Sequence, residues 1–518
     1  MSAGPAVNDR ILATLDALVR RPTDQPWGVR ELAEDTGLSR STVHRVLQAL
    51  TERDLATQTA HATYTSGPRL RVLVDRLHRS HPLLGQARPL AQDLAAACDA
   101  TILLSLYDPA RADAFVALTA VPDGPVRYRL DPGRPLPLHA GAAGRAILAE
   151  LPPDVLARLD LTAHTDETVT DPAELKDLLE QGRAQGVTVS VGQHIALAAG
   201  VAAPLHAAGL TGALSATRLR HETDPEDIAR LAPLVREAAD RASRLTPREH
   251  PPLPQGHTPP SPAADDSGGS AAARVENLIT ALCTAAPLPT GGRALARVLH
   301  GNPATTARLL DTALTSGLAV LREEHALAGP LLMRWAAILG PLESTGALVA
   351  PALHALAQET GETIALTEYD QTTGTARMTT VVPGSKPIHY SLSTDADVPL
   401  TAGAAGKAIL AFLPDRTLDD LELVPYTDHT PLDRPRIATD LLGIRARGWA
   451  TGDRERIPDA YGIAVPYFTD HGIAGSITAT VPRHRADQLD PTGLAAHLAA
   501  TAAAVTRLLS LRTTPPAP

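Results

Sequence analysis

Residues 37–50, GLSRSTVHRVLQAL, place hydrogen-bond donors beside apolar side chains at helical spacing. Arg40 and Arg45 carry guanidinium groups, which can donate paired hydrogen bonds to a phosphate or to the edge of guanine. With Val43 and Leu47 packed inward, such a helix turns its polar residues to solvent near its amino-terminal end. Two interpretations stay open at this point: a helix that reads DNA, or the polar face of an ordinary three-helix bundle.

The segments on either side of this helix favour the first interpretation. The preceding VRELAEDTG ends at Gly37 and Ser39 can cap the next helix, so a turn of about four residues joins two helices, as in a helix-turn-helix. The following LATQTAHATYT predicts a β-ribbon that ends at Tyr64, as in the wing of a winged helix. In that arrangement the amino-terminal end of the second helix enters the major groove. Seven residues are therefore candidate DNA contacts in this head: Ser39, Arg40, Ser41, Thr42, His44, Arg45 and Tyr64.

Length and composition predict a modular, moderately acidic protein. The chain has 518 residues, a formal net charge of −10, 44% hydrophobic residues and only 3% aromatic residues. A chain of this length holds several domains, and their cores must be built mainly from aliphatic side chains. Residues 1–82 contain 11 arginines and 9 acidic residues, a net charge of +2. This excludes a chain that coats nucleic acid along its whole length, but it allows one basic module on an acidic body.

Several classes of protein find no support in the sequence. The two cysteines, Cys98 and Cys283, lie far apart and outside any metal-binding spacing, so we expect no disulfide framework, no metal site and no cofactor. No GxSxG, P-loop or HExxH motif occurs in a supporting context, so we expect no enzymatic activity. The first 21 residues contain no run long enough for a signal peptide or a membrane span. We therefore expect a cytoplasmic protein without a membrane partner.

The chain contains two copies of one sequence unit. Residues 138–152, LHAGAAGRAILAELP, align with residues 400–414, LTAGAAGKAILAFLP, at a shift of 262 positions. Pro204 and Pro466 follow the same shift, so the register holds over a whole domain. A repeat of this length indicates tandem domains rather than a solenoid, whose repeats are roughly 20 to 50 residues long.

Each copy divides into a small helical head and a larger domain in which helices alternate with period-2 strands, such as TILLSLYD and AFVALTAV. Between the copies, residues 246–273 contain seven prolines and almost no large apolar side chains, which predicts a disordered or semi-extended linker. Such a linker would let the two halves be placed with some freedom. The predicted fold class is α+β, with these parts: first head, 1–82; first α+β domain, 83–245; linker, 246–273; second head, 274–342; second α+β domain, 343–511; disordered tail, 512–518.

The sequence resembles the IclR family of bacterial transcription regulators. The segment ELAEDTGLSRSTVHRVLQALTERDLA is similar to the winged helix-turn-helix of the family, and PGRPLPLHAGAAGRAILAELP and QGVTVSVGQHIALAAGVAAPL are similar to its GAF-like effector-binding domain. The resemblance covers nearly the whole chain, in two copies. It implies sequence-specific binding to double-stranded operator DNA that a small-molecule effector controls. The alternative is a metabolite-binding signalling module whose heads mediate dimerisation.

The second head lacks most of the candidate DNA contacts. Arg45 has a counterpart in Arg308, which is the candidate contact there, whereas Arg40, Ser41 and His44 are replaced in order by Pro303, Ala304 and Ala307. Glu323 and Glu324 in its wing would repel phosphate. We expect this head to stand in for the dimer partner seen in the family and to bind DNA weakly, although it could instead read a different half-site. A homodimer of the fused chain is a further possibility.

The family resemblance places effector contacts on the Gly-Ala loop that begins a helix and on a nearby strand pair. A helix amino terminus exposes backbone N–H groups that suit a carboxylate, so a small organic anion is the expected effector. The alternative is that the glycines only let helix and sheet pack closely. The candidates in the first copy are Gly141, Ala142, Ala143, Gly144, Ser190, Gln193 and Gly200. Those in the second copy are Gly403, Ala404, Ala405, Gly406, Asp453, Glu455 and Gly462.

Overall fold

The structure is a computed structural model of the full chain. It describes residues 6–59, 61–124, 128–246, 270–284, 287–470 and 472–510. These residues form two compact units. The first unit contains the described residues up to 246 together with 270–341, and the second contains those from 342 onward.

The first head has the predicted order of helix, helix, turn, helix and ribbon. Its elements are α1 (Val7–Arg20), α2 (Val29–Thr36), α3 (Arg40–Thr51), β1 (Ala56–Gln58), β2 (Tyr64–Ser66) and the connecting helix α4 (Pro68–Ser80). Helix α2 ends because Gly37 adopts a left-handed φ of +66°, a conformation that glycine reaches without steric cost. Leu15, Leu32, Leu47 and Leu50 are fully buried and hold the three helices together.

The first α+β domain is a six-stranded antiparallel sheet with helices packed on it. A π-helical turn, Pro82–Gln86, leads into it from α4. Its elements are α5 (Ala87–Cys98), β3 (Thr101–Asp108), β4 (Asp113–Ala120), β5 (Pro135–Leu136), α6 (Ala142–Glu150), α7 (Pro153–Arg158), α8 (Pro172–Gln185), β6 (Thr188–Val191), β7 (Ala198–Ala207), β8 (Leu210–Leu219), a 3₁₀ turn (Arg220–Glu222) and α9 (Pro225–Ser243). The strand order is β5-β4-β3-β8-β7-β6.

The second head repeats the first with a third short strand. Its elements are α10 (Ala271–Cys283), β9 (Leu288–Pro289), α11 (Gly292–Val298), α12 (Pro303–Thr315), β10 (Ala319–Arg322), β11 (His325–Ala328) and α13 (Pro330–Leu339). Helix α12 corresponds to α3, and α13 corresponds to α4. The strands β10 and β11 form the hairpin expected for the wing, with Glu323 at its turn in a left-handed conformation, φ +55°.

The second α+β domain has the same sheet as the first. Its elements are α14 (Thr345–Thr360), β12 (Thr363–Asp370), β13 (Thr375–Val382), β14 (Ala396–Val398), α15 (Ala404–Leu410), α16 (Thr417–Asp420), α17 (Arg434–Arg447), β15 (Ala450–Asp453), β16 (Ala460–Thr469), β17 (Gly472–Pro482), α18 (Arg483–Ala486) and α19 (Pro491–Leu509). The strand order β14-β13-β12-β17-β16-β15 is that of the first domain, element for element. Even the register shift between Leu104 and Ser105 recurs between Leu366 and Thr367. The α+β fold and its duplication are confirmed.

The linker predicted over 246–273 is too long at its carboxyl end. Helix α10 begins at Ala271, because the Ser270 side chain accepts a hydrogen bond from the Ala273 backbone N–H and alanine favours the helix. The three alanines of the predicted linker therefore belong to the second head. The remainder of the linker, 247–269, and the predicted tail, 512–518, lie outside the described residues.

The compact units do not coincide with the two halves of the sequence. The second head belongs to the first unit, where α10 and α13 pack against α1 and α4 of the first head. The expectation that the halves are placed freely is therefore wrong for the second head. Apolar helix surfaces at the junction explain the packing, since Leu331, Leu332 and Trp335 of α13 are buried.

Helix α19 has the length and apolar composition of a membrane span. In this domain it covers the sheet, where it packs against β16 and buries Leu494, Leu498, Ala502 and Val505. Its counterpart in the first domain, α9, packs on β7 in the same way but carries charged residues throughout. The core position of α19 accounts for its composition, and one such helix is weak support for a membrane span.

Candidate DNA-reading surface and ligand cavity

Helix α3 presents a polar end to solvent and buries its other face. Arg40, Ser41, His44 and Arg45 are exposed, whereas Val43, Val46, Leu47 and Leu50 are buried. Among the described residues, no carboxylate lies within ion-pairing distance of Arg40 or Arg45. Their guanidinium groups are therefore available to a phosphate or a base edge.

The start of α3 is fixed by the predicted cap. Ser39 Oγ accepts a hydrogen bond from the Thr42 backbone N–H at 3.2 Å, and it lies 3.1 Å from Ser41 Oγ and 2.9 Å from Thr42 Oγ1. The three hydroxyl groups share one small network at the helix amino terminus. This network orients the first turn of α3, the part that enters the groove in proteins of this architecture.

Tyr64 does not belong to the exposed surface. Its side chain is only 6% exposed, and its backbone exchanges two hydrogen bonds of 2.8 Å with Trp27. The Trp27 indole Nε1 in turn donates to the Ala17 carbonyl at 2.9 Å. The prediction that Tyr64 contacts DNA is therefore wrong, because the strand β2 turns this ring into the core of the head.

The second head presents a poorer surface. Arg308 is exposed, and its Nε donates to the Ala304 carbonyl one turn earlier, at 3.3 Å. Asn302 caps α12 by accepting from the Ala304 N–H at 2.9 Å. The described part of this face offers Arg308 and Thr305 where α3 offers two arginines and a histidine. Arg308 stays a predicted DNA contact, in a head that offers fewer such contacts than the first.

Charged groups join the two heads away from the exposed residues of α3. Glu276 of α10 accepts hydrogen bonds from Arg53 Nε at 2.5 Å and from Arg69 Nε at 2.8 Å, and it is 8% exposed. His78 Nε2 lies 2.8 Å from the Ala336 carbonyl of α13. These contacts leave Arg40, Ser41, His44 and Arg45 unused, so the pairing of the heads keeps the polar end of α3 exposed.

A second set of charges ties both heads to the first α+β domain. Asp16 of α1 accepts from Trp335 Nε1 at 3.0 Å and from Arg111 Nη2 at 2.5 Å. Arg334 Nη2 of α13 donates to Asp113 Oδ1 at 2.5 Å and lies 3.4 Å from Asp108 Oδ2. Asp108, Arg111 and Asp113 all belong to the β3–β4 hairpin, so this hairpin contacts one helix from each head.

A cavity of about 50 Å³ lies at the amino terminus of α6. Six of the seven candidates in the first copy line it: Gly141, Ala142, Ala143, Gly144, Ser190 and Gly200. Its other walls come from residues that sequence reasoning did not select: Leu103, Tyr128, Leu130, Leu136, Ala140, His194, Ile195, Ala198, Ser215 and Thr217. The volume is far below the roughly 300 to 1,000 Å³ of ordinary ligand pockets, so only a very small ligand fits without movement of the walls.

The glycines of the loop before α6 have two different roles. A Cβ atom on Gly144 would lie 2.0 Å from the Pro137 carbonyl oxygen, and one on Gly406 would lie 1.8 Å from that of Pro399. These two glycines are required for close packing. Gly141 and Gly403 have φ of +81° and +83° and begin the helices, where the backbone must turn in a way that favours glycine.

Three histidines meet beside the cavity. The rings of His139 and His164 stack at a centroid distance of 5.3 Å, and His164 meets His194 edge to face at 5.4 Å. Burial, together with the smaller effect of neighbouring basic groups, lowers the pKa of His194 to about 4. These residues lie 25 to 55 positions apart in the sequence, and only the packing of the loops brings them together.

Gln193 lies outside the cavity wall and differs from its counterpart Glu455. Gln193 Oε1 is buried without a hydrogen-bond partner in the described structure. Glu455 Oε2 accepts from the Gly403 backbone N–H at 2.8 Å, and its Oε1 accepts from Lys407 Nζ at 2.7 Å. Lys407 Nζ also donates to Asp440 Oδ2 at 2.8 Å. The carboxylate of Glu455 is therefore held by the protein itself.

The remaining candidates of the second copy cluster around α15. A Cβ atom on Gly462 would lie 3.2 Å from the Ala404 Cβ, so this glycine lets β16 approach the helix. Ala405 is buried, and its carbonyl accepts from Ser476 Oγ at 3.1 Å. Asp453 pairs with Arg483 Nε at 3.0 Å. The polar groups at this site are largely engaged in bonds within the domain.

The molecule thus combines a helix-turn-helix that has an exposed basic helix, a copy of that head with fewer basic residues, and two α+β domains, the first of which contains a small cavity at a helix amino terminus. This combination defines a ligand-responsive DNA-binding protein of the winged-helix class. The family description "Bacterial transcriptional regulator IclR C-terminal" matches residues 76–244 and 346–507, and "IclR helix-turn-helix domain" matches residues 9–60. The chain belongs to the IclR family of transcriptional regulators.

The chain is also similar to individual transcriptional regulators. An HTH-type transcriptional regulator of Mycobacterium tuberculosis is 33% identical over 184 residues, which cover 34% of this chain and 70% of the relative. The transcriptional repressor IclR of Escherichia coli is 27% identical over 169 residues, 32% of this chain and 62% of the repressor, less than two thirds of its length. The solved structure of an IclR regulator from Alicyclobacillus acidocaldarius is 24% identical, with a TM-score of 0.42, and the match covers 46% of this chain and 98% of the other.

Proposed function

We propose that this chain represses or activates transcription by binding an operator through α3 of the first head, and that the second head acts as a built-in packing partner. The observation that carries the proposal is the amino end of α3. There Arg40, Ser41, His44 and Arg45 are exposed together, while the head-to-head contacts are made by other residues. We further propose that the protein works in the cytoplasm and has no catalytic role.

The first α+β domain is the proposed ligand sensor. Leu103 of β3 lines the cavity, and β3 runs on to Asp108, which pairs with Arg334 of the second head. A ligand that changes the packing around Leu103 therefore acts on a strand whose far end contacts both heads through Asp108 and Arg111. Because the cavity is small, ligand entry has to displace its walls, and this displacement is what the hairpin would transmit to the heads.

The test is binding of the purified full chain to the DNA upstream of its own coding sequence, against random competitor DNA at two salt concentrations. For the wild-type chain we expect specific complexes that survive the competitor. Arg40→Ala is expected to cost about 1 to 3 kcal/mol of specific binding, because a bidentate arginine contact to guanine discriminates by this amount. Arg40→Ala/Arg45→Ala should leave only weak, salt-sensitive binding.

Two matched controls separate base reading from loss of charge. Arg79→Ala removes an arginine with a 67% exposed side chain at the far end of α4, and it should leave specific binding unchanged. Arg308→Ala tests the second head at the position that corresponds to Arg45. If Arg308→Ala weakens specific binding as much as Arg45→Ala does, the second head reads DNA on equal terms and our assignment of roles is wrong.

A signalling module whose heads only mediate dimerisation is the competing function. The heads do pair, through Glu276 and through α13. This pairing occurs within one chain and leaves the basic end of α3 in solvent, which the competing function does not require. If the wild-type chain shows no specific DNA binding although its heads are paired, the competing function is favoured.

A further inference from the structure

The helix-turn-helix of the second head contains no acidic residue. Residues 277–310 have no aspartate or glutamate and three arginines, namely Arg293, Arg297 and Arg308. The stretch of the first head that corresponds to them at a shift of 263, residues 14–47, has five arginines and five acidic residues. The second motif therefore carries a net charge of +3 where the first carries none, although it has fewer basic residues.

The difference is concentrated in α11, the first helix of the second motif. In the corresponding helix α2 of the first head, Arg30 forms an ion pair with Glu34 at 3.0 Å. Arg293 corresponds to Arg30, but Arg297 stands where the first head has Glu34. The two other acidic residues of α2 are replaced by alanine and valine. Helix α2 thus has a net charge of −2, and α11 has a net charge of +2.

Both arginines of α11 are exposed, and no ion pair neutralises them. Across the described residues, no carboxylate lies within ion-pairing distance of Arg293 or Arg297, whereas Leu295 and Ala296 between them are buried. The two arginines lie one helical turn apart on the same face, where like charges destabilise a helix. An anion outside the head would offset this repulsion, which nothing in the described structure of the head relieves.

The two heads are related by an approximate two-fold axis. Helix α1 packs against its counterpart α10, and α4 packs against its counterpart α13. The other contacts occur in matching pairs, since α1 meets α12 as α10 meets α3, and α1 meets α13 as α10 meets α4. Such reciprocal contacts define a two-fold interface. A duplex that lies against α3 across this axis therefore also meets the motif formed by α11 and α12.

We propose that the second head is a sequence-independent DNA-binding site, in which Arg293 and Arg297 of α11 bind backbone phosphates while α3 of the first head reads the bases. In helix-turn-helix complexes the first helix of the motif crosses the phosphate backbone, which is where α11 places these arginines. Phosphate contacts supply affinity without sequence information. Base reading by α12 is limited, because Pro303, Ala304 and Ala307 offer no side-chain donors.

The inference rests on the proposed function in taking duplex DNA as the partner. It goes further in one respect, since it gives a DNA contact to a head that otherwise serves as a packing partner. The specificity of the chain would then come from the first head, and part of its affinity from the second. These two contributions are separable by experiment, because phosphate contacts act equally on every sequence and depend strongly on salt.

The test compares the DNA upstream of the chain's own coding sequence with a random duplex over a series of salt concentrations. Arg293→Ala/Arg297→Ala should weaken binding to both duplexes by the same factor, roughly tenfold for each arginine at low salt. The slope of log K against log salt should become shallower by about 1.8, since each phosphate contact contributes about 0.9. The ratio of the two affinities should not change, whereas Arg40→Ala should lower it.

Reciprocal variants exchange the charges of the two corresponding helices. Arg297→Glu copies α2, so Arg293 can pair within the helix and binding to both duplexes should weaken at least as much as in the double alanine variant. Glu34→Arg makes the opposite change in α2 and should strengthen binding to the random duplex. Arg158→Ala is the control for net charge, because it removes a 73% exposed arginine of the first α+β domain and should leave both affinities unchanged.

Two outcomes overturn the inference. Unchanged binding in Arg293→Ala/Arg297→Ala would mean that α11 does not touch DNA, and it would leave base reading by Arg40 and Arg45 unaffected. A loss confined to the upstream DNA would mean that α11 contributes to specificity. If the wild-type chain binds both duplexes equally, the proposed operator reading fails, and an equal loss on both duplexes in the double alanine variant still supports the phosphate contacts of the second head.

Discussion

The two α+β domains share a fold and differ in what their charged residues contact. In the first, Asp108 and Asp113 of the β3–β4 hairpin pair with Arg334 of the second head, and Arg145 has no carboxylate partner in the described structure. In the second, the buried Lys407 is paired within the domain, with Asp440 and Glu455. The hairpin of the first domain thus forms ion pairs with a head, and the buried cation of the second domain forms ion pairs within its own domain.

This difference shows that the backbone fold and the ion pairs of the charged side chains are under separate constraints. The second domain repeats the sheet order, the register shift after Leu104 and the close approach at Gly144. These features are repeated because the fold of the backbone depends on them. Charged side chains need only a partner of opposite sign within reach, so the same shape accommodates different networks. The contacts of the β3–β4 hairpin with both heads are why the first domain is the proposed sensor, although both domains have the same fold.

The largest effect is expected when the ion pairs between the first α+β domain and the second head are removed. Arg334→Met leaves Asp108, which is 1% exposed, without its buried counterion and should lower the free energy of unfolding by about 3 to 5 kcal/mol. Trp449 is the tryptophan of the second unit, so fluorescence in a Trp449→Phe background reports on the first unit during urea unfolding.

The matched control is Arg377→Met in the second domain. Its pair with Asp397 has side-chain exposures of 57% and 84%, so its loss should change the stability by less than about 1 kcal/mol. Equal effects of Arg334→Met and Arg377→Met would show that the ion pairs of the first domain with the second head do not contribute to the free energy of unfolding.

The next largest effect compares the two buried cations. Lys407→Met leaves Glu455 and Asp440 without the cation between them and should cost about 3 kcal/mol. Arg145→Met breaks no pair with a carboxylate and should change the stability by about 1 kcal/mol or less in a buffer free of carboxylates. Scanning calorimetry of the two variants measures both values, and a cost for Arg145→Met as large as that for Lys407→Met would contradict the contrast between the domains.

A smaller effect concerns acid sensitivity where the first head meets its domain. Burial lowers the pKa of His81 to about 4, and His81 is 4% exposed. Its pKa in the unfolded chain is about 6.5, so the unfolded state binds the proton more tightly, and stability is lost as the pH falls from about 6.5 toward 4. Between pH 7 and pH 5 this residue should contribute a loss of about 2 kcal/mol.

The variant His81→Asn tests the assignment, because its amide oxygen can still accept from the Leu83 N–H that His81 Nδ1 now receives at 3.3 Å. Urea unfolding at several pH values should show a flatter profile for this variant between pH 7 and pH 5. An unchanged profile would place the acid sensitivity elsewhere.

The smallest effect separates the two heads. Ser39→Ala and Asn302→Ala each remove the side-chain cap of the helix that corresponds to the reading helix, and each should cost about 1 kcal/mol of stability. DNA affinity should fall for Ser39→Ala alone, because only α3 is proposed to enter the groove. A comparable fall in affinity for Asn302→Ala would mean that α12 also enters the groove.

The sequence was sufficient for local elements and insufficient for contacts between distant ones. Helical periodicity, the cap at Ser39 and the turn at Gly37 depend on neighbouring residues, and all three are found in the structure. The repeated Gly-Ala loop located the cavity wall for the same reason. By contrast, the pair of Arg334 with Asp108 joins residues 226 positions apart, and no local pattern indicates it.

The errors have the same origin. The position of Tyr64 at the end of a short ribbon predicts a DNA contact, but its orientation is set by pairing with Trp27, 37 positions earlier. The lack of large apolar side chains predicts a linker that includes the three alanines 271–273, whereas the cap at Ser270 makes them the first turn of α10. The histidine cluster could have been noticed by comparing the two copies. The first copy has His139, His164 and His194 where the second copy has Thr401, Tyr426 and Arg456.

The burial of Glu276 between Arg53 and Arg69 has a consequence for how the protein responds to its own abundance. Separate subunits that must meet before they bind DNA fall apart on dilution, so their occupancy of an operator rises steeply with copy number. Heads that are joined in one polypeptide stay paired at any dilution, because the partner is always present at a high effective concentration. Occupancy by a single chain would then rise in simple proportion to the number of molecules in the cell, down to a few copies.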